Sequence, residues 1–202
     1  MRHAYDIALD LEENAKLDRA VDTLDKALPQ ALQKQPTRGL LEGTWLGHAL
    51  HPLLTDVPLG CWMSATLLRL FGPARWSGAA TTLTGIGVVA AVPTVATGVA
   101  EWQRATPAAK RVGVVHAVAN SIGLGFYTAS FVAGLRGKRG KATVTALLGG
   151  VVASVGGYLG GHLSFAQATG VDHARIEPHL SERLSTPLQA VDQPLDTPSV
   201  LP

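Results

Sequence analysis

The feature that most constrains this chain is the absence of Asp, Glu, Lys and Arg from three long stretches, Ser77 to Ala100, Val112 to Leu135 and Ala142 to Val171. A fourth stretch, Thr44 to Leu68, has His48, His51 and Asp56 as its ionisable groups, apart from Cys61. A helix needs about 20 mostly apolar residues to cross a hydrocarbon core of roughly 30 Å. All four stretches reach that length. Soluble helices of this kind need a polar face, and these segments have too few polar residues to build one. Their Ala, Gly, Thr and Val content instead matches helices that pack closely in a membrane.

Composition agrees. Charged residues make up 16% of the chain, against roughly 25% in ordinary soluble domains. The net charge of +2 offers no basic field for nucleic acid. The lone Cys61 excludes an intrachain disulfide and any iron–sulfur cluster held by this chain's own thiolates. No basic segment followed by an apolar one marks a cleavable leader, so the first apolar span is expected to direct insertion.

The expected fold is all-α, a four-helix transmembrane bundle. Residues 1–42 read as a polar amphipathic helix, with Ile7, Leu11, Ala15, Ala20, Leu24 and Leu28 at loosely helical spacing. It would lie on the membrane or pack against another chain, or be a solvated helix with a modest apolar stripe. Residues 43–171 form the membrane domain, with spans at 44–68, 77–100, 112–135 and 142–168. Residues 172–202 carry Pro178, Pro187, Pro194, Pro198 and Pro202 and read as an extended, flexible tail. Arg69, Arg75, Arg136, Lys138, Arg139 and Lys141 crowd two loops on one side, which favours a cytoplasmic position for that side. The basic residues of the flanks oppose this, so the sequence assigns no direction.

Antiparallel connection brings three histidines to similar depth near one face: His51 early in span one, His116 early in span three and His162 late in span four. His48 and Asp56 join them, and Glu101 and Trp102 close span two on the same side. Ionisable groups within spans are costly and are functional candidates by default. Two readings stand side by side. One is a shared metal or b-type haem site, with His116 and His162 as axial ligands, His51 as a third candidate, and His48, Asp56, Glu101 and Trp102 as supporting groups. Gly157 and Gly161, in the run GGYLGGHL, would let a flat macrocycle approach the helix beside His162. The other is a hydrogen-bond network that ties helices together, with the glycines serving helix packing. Pro58 and Pro93 remove backbone donors inside spans, leaving carbonyls that neighbours must satisfy.

The runs GHALHPLLTDVPLGCW, TGVAEWQR, RVGVVHAVAN and GGYLGGHL, in this order between Gly43 and Val171, resemble the DUF2231 family of predicted bacterial membrane proteins. His51-Pro52, Asp56, Pro58, Trp102, His116 and Gly161-His162 stand where the family's motifs recur, with Glu101 at the acid before the tryptophan. The resemblance implies four transmembrane helices in a bacterial inner membrane. Relatives with a similar N-terminal helix often continue into a Rieske-type [2Fe-2S] domain, and this sequence has no Cys-x-His motif to hold that cluster. The partners so implied are the lipid bilayer, a separate Rieske-type or other redox protein, and a second copy of the chain in a homo-oligomer. The expected function is membrane electron transfer, or else a non-catalytic anchor or assembly subunit. A proton- or ion-conducting bundle is disfavoured, because spans two to four continue no polar pathway across the other half of the bilayer.

Overall fold

The computed structural model describes residues 3–170; the expectation for the 172–202 tail lies outside the described residues. The helices are α1 (Ala4–Glu13), α2 (Asp18–Ala27), α3 (Gln30–Gln33), α4 (Thr37–Glu42), α5 (Leu50–Phe71), α6 (Ser77–Trp102), α7 (Pro107–Leu135) and α8 (Arg139–Gly161). A π-helical turn, His162–Ala166, extends α8. The described residues contain no strand. α5 packs against α6, α6 against α7, α7 against α8, and α8 closes the ring on α5.

Three helical stretches, Ala74–Trp102, Pro107–Leu135 and Arg139–Ala166, are long and apolar enough to cross a membrane. α5 has the length, but it carries His51, Asp56, Pro58 and Arg69, and it does not join those three. The expected span of 44–68 also starts too early. Gly43 and Gly47 adopt left-handed backbone conformations that no helix runs through, and with Ala49 as the non-helical cap α5 begins at Leu50. At α7 the helix starts earlier than expected. Thr106 caps it by accepting the Ala109 N–H, and Pro107 fills its first position, where no backbone donor is needed.

The N-terminal segment folds as four short helices rather than the single amphipathic helix expected. Asn14 accepts the Lys16 N–H and turns the chain between α1 and α2. Pro29 and Pro36 flank α3 and α4, since a proline suits a helix start and not its interior.

Polarity in the bundle runs opposite to that of a soluble domain. Thr84 and Ser130 are wholly buried, whereas Val89 and Val151 are 71% and 68% exposed. Small and hydroxylated residues face the other helices and branched apolar residues face outward, the arrangement that lipid surroundings favour. The closest aromatic contact joins α5 to α7, with Trp62 and Tyr127 stacked at 4.4 Å. Ser130 donates to the Ala142 carbonyl at 2.7 Å, tying α7 to the first turn of α8.

Pro58 shows how a helix interrupted by proline is completed in such a setting. Leu54, four residues earlier, loses its backbone donor. The Thr94 hydroxyl of α6, whose proton is shared with the Ala90 carbonyl of its own helix at 2.9 Å, reaches the Leu54 carbonyl at 3.2 Å. A Thr94→Val variant leaves the carbonyl without this donor and is expected to lose about 1–3 kcal/mol of stability, read from unfolding of the purified protein in detergent. Unchanged stability would mean that the carbonyl is satisfied without Thr94.

The short N-terminal helices dock on the end of the bundle formed by the α6–α7 connection. Asp18 takes two hydrogen bonds from Arg111, at 2.6 and 3.0 Å, and Arg111 also donates to the Glu12 carbonyl at 2.9 Å. Asp25 accepts from Lys110 at 2.9 and 3.1 Å and from the Trp102 indole. Beneath these pairs Val21 packs with Trp102 and Val114, flanked by Ala20, Leu24 and Leu28.

The pairing makes docking sensitive to acid. The hydrogen bond from Arg111 holds the Asp18 carboxyl below its ordinary value of 3.8. Burial pushes Asp25 up, but the hydrogen bonds from Lys110 and Trp102 outweigh it and leave Asp25 below 3.8 as well. A depressed folded-state value stabilises the docked form above the free value, and that stabilisation is lost as pH falls through the depressed one. Hydrogen exchange in α2, corrected for its intrinsic pH dependence, is therefore expected to stay slow at neutral pH and to accelerate only below about pH 4. A D18N/D25N double variant should exchange rapidly already at pH 7. Slow exchange in that variant would show that docking rests on the apolar contacts alone.

Candidate functional site

The two hairpins, α5–α6 and α7–α8, use the same device at the same end of the bundle. In the first, His51 lies in the opening turn of α5 and its Nδ1 sits 2.8 Å from the Thr94 carbonyl of α6. In the second, His116 of α7 places its Nδ1 2.8 Å from the Gly156 carbonyl of α8. A carbonyl only accepts, so each Nδ1 carries the proton and each neutral ring keeps its lone pair on Nε2. Thr97, whose own hydroxyl donates to the Thr94 carbonyl, stands 3.1 Å from the His51 Nδ1 and shares its proton.

A glycine makes room for each ring. Four residues past the accepting carbonyl, Gly98 faces His51 and Gly160 faces His116. A Cβ at either position would come within 2.9 Å of the imidazole. Gly156 likewise accommodates Asn120, where a Cβ would meet the side-chain oxygen at 2.4 Å. The glycines that shape this site are thus Gly98, Gly156 and Gly160. Gly157, expected beside the ligand, faces open space, and the nearest atom to a Cβ at Gly161 belongs to Phe165, at 3.9 Å.

The histidine rings of the two hairpins meet across the bundle, with centroids 6.4 Å apart and planes inclined by 74°. Asn120, one turn after His116, places its amide nitrogen 3.1 Å from the His116 Nε2. His162 is buried in a separate arrangement. Its Nε2 lies 2.6 Å from the Glu12 carboxylate of α1, and Tyr5 packs edge-on against the ring at 5.7 Å. The three histidines share one end of the bundle, but only His51 and His116 make a pair.

The expected supporting groups divide. Asp56 and His48 are exposed. Trp102 is buried and turned to Asp25, where it anchors α2. Glu101 is buried at the end of α6, beside Gly170 and near the backbone N–H of His51. One of its oxygens has no hydrogen-bond partner among the described residues. Glu42, wholly buried, adds a second carboxylate to this end and pairs with Arg104 at 3.2 Å and Arg38 at 3.5 Å. Among the described residues, no group of three or more His, Cys, Asp or Glu side chains is placed to hold a metal ion.

Sequence reasoning passed over Glu12, Glu42, Thr94, Gly98 and Asn120. Asn120 had a signal, being an amide one turn from His116 inside an apolar span. Glu12 and Glu42 had none, because both belong to a polar segment where acids are ordinary.

The comparisons with known proteins agree with the architecture. No curated protein and no solved structure matches the chain. The family model described as "Predicted membrane protein (DUF2231)" matches residues 47–173, which takes in α5 to α8 and both paired histidines. The chain, with its apolar helices and buried polar seams, is a member of the DUF2231 family of predicted membrane proteins.

Proposed function

We propose that this is a four-span membrane protein that binds b-type haem between His51 and His116 and takes part in membrane electron transfer. The observation that carries the reading is the tautomer lock on both rings. A histidine that ligates a metal almost always donates its other ring N–H to a carbonyl or carboxylate, which orients the ring and raises its basicity. His51 and His116 have that hydrogen bond already made, and their rings lie across from one another on different hairpins. His51 and His116, with ring centres 6.4 Å apart and each Nδ1 committed to a carbonyl, are the residues that would hold the iron through Nε2.

The size of the donor set favours haem over a bare ion. Zinc sites take three or four protein ligands, whereas haem would need from this chain only the His51 and His116 imidazoles. Bound haem would supply one-electron transfer. The chain's own residues then have defined tasks. The Thr94 and Gly156 carbonyls hold the rings, Gly98 and Gly160 admit them, and Asn120 gives up its contact with the His116 Nε2. Glu101, buried beside the first turn of α5, is the group placed to take up a proton. His162 has a structural task in this reading, holding α1 through Glu12, which reassigns the axial role first expected for it to His51. A Rieske-type or other redox protein would be the partner in this reading.

A second reading is favoured by the docked N-terminal helices. They cover one end of the bundle through the Asp18, Asp25 and Glu12 contacts and could present a surface to a partner, making the protein a non-catalytic anchor or assembly subunit. The two histidines would then be pins between helices.

An absorption spectrum of detergent-purified protein from haem-replete cells, oxidised and then reduced with dithionite, separates the two. The haem reading expects a Soret band and sharpened α and β bands, lost in both His51→Ala and His116→Ala and retained in His162→Ala. A flat spectrum in the wild type, or full haem occupancy in His116→Ala, would reject it. Under the anchor reading the wild type shows no bands. The histidine variants then lose stability only, by about 1 kcal/mol for each cross-helix hydrogen bond removed.

A further inference from the structure

The opposite end of the bundle carries a site that the histidine pair does not involve. Two short connections meet there, residues 72–76 between α5 and α6 and residues 136–138 between α7 and α8. With the adjoining helix ends they bring together Arg69, Arg75, Arg136, Lys138, Arg139 and Lys141. From Val57 to Gly170 the chain has a single acid, Glu101, and that lies at the other end. Six cations therefore gather with no carboxylate beside them among the described residues.

Arg69 differs from the rest. Its guanidinium is drawn in between α5, α6 and α7, where it donates to the Thr81 hydroxyl at 3.3 Å. Thr81 passes its own proton to the Ser77 carbonyl at 2.8 Å. Gly134 of α7 leaves the space, since a Cβ there would stand 2.4 Å from the Thr81 oxygen and 3.1 Å from the Arg69 Nη2. Among the described residues the buried Arg69 Nε has no hydrogen-bond partner. The buried Nε costs free energy, which a second charge-assisted contact to the planar guanidinium would offset, and a phosphate suits that geometry.

The surroundings are those of a bilayer interface. Phe71 is 80% and Leu135 67% exposed, on the helix ends that carry these cations. Trp76 is partly exposed as well, with Arg75 lying over its ring at 5.7 Å. Aromatic rings and cations at a helix end mark the headgroup level of a membrane. A soluble phosphate would gain nothing from the adjacent apolar surface, while the acyl chains of a phospholipid would cover it.

We propose that Arg69, with the basic 136–141 loop around it, forms a binding site for the phosphate of an anionic phospholipid at the α5–α6–α7 corner. Arg69, only partly buried and held by Thr81, meets the phosphate through the side of its guanidinium that Thr81 leaves free. The exposed loop cations strengthen the local positive field, and Phe71 and Leu135 contact the lipid chains. The site depends on the membrane location of the bundle and is independent of haem.

Native mass spectrometry of the full-length protein in detergent, titrated separately with phosphatidylglycerol, phosphatidylcholine and inorganic phosphate, tests this. Phosphatidylglycerol is expected to bind at least about fivefold more tightly than phosphatidylcholine, the effect of one interfacial cation. That preference should vanish in Arg69→Gln and weaken in a variant with Arg136, Lys138, Arg139 and Lys141 all changed to Gln. Thr81→Val removes only the internal acceptor of Arg69, and it should keep or strengthen the preference if the guanidinium serves the lipid. Equal affinity of the wild type for the two lipids would overturn the proposal, and this result needs no variant to fold. So would an Arg69→Gln protein that keeps the preference, or displacement of the lipid by millimolar inorganic phosphate, which would mark a simple anion site.

Discussion

A hydrocarbon surround offers a polar group no partner, so the carbonyls and rings between the long helices draw theirs from the neighbouring helix. That requirement organises the contacts between the long helices. The Leu54 carbonyl, deprived of its donor by Pro58, takes the Thr94 hydroxyl. The Thr94 carbonyl takes the proton of His51, and the Gly156 carbonyl takes that of His116. Each bond crosses from one helix to the next, so the helices are held in register by hydrogen bonds as well as by packing. Such bonds need close approach, and the glycines facing His51, His116 and Asn120 provide it.

The two ends of the bundle solve different problems. At the histidine end the chain surrounds itself with its own charges. Carboxylates from the N-terminal helices meet Lys110, Arg111 and Arg104, and that end closes as a unit. At the other end the cations have no such complement among the described residues, and exposed aromatic and aliphatic side chains stand beside them. One end is completed by protein and the other is left for the membrane surface. The asymmetry follows from where acids occur among the described residues, before Val57 and at Glu101.

Much of this was legible in residue order. Charge-free stretches of sufficient length announced the apolar helices, and short connections announced antiparallel neighbours, which placed His51, His116 and His162 at one end. The N-terminal segment was less legible. Its apolar positions suited one long helix, and the effect of Asn14, Pro29 and Pro36 was to divide it into pieces that fold back on the bundle. Glu12 and Glu42 look like ordinary surface acids in sequence. Docking of those pieces buried Glu42 and left Glu12 half-buried against His162.

The sequence by itself determined the membrane class, the pairing of neighbouring helices and the end of the bundle at which the histidines gather. Length, apolar content and connection length decide these, and all three are local properties. The tertiary structure alone decided which histidines meet. The rotation of each helix about its axis depends on the small residues of its neighbour, and linear order does not specify it. That rotation turned His51 and His116 toward each other against Gly98 and Gly160 and gave His162 to Glu12. The same rotation placed Arg69 opposite Gly134, so that a cation on one helix became half of a site shared by three.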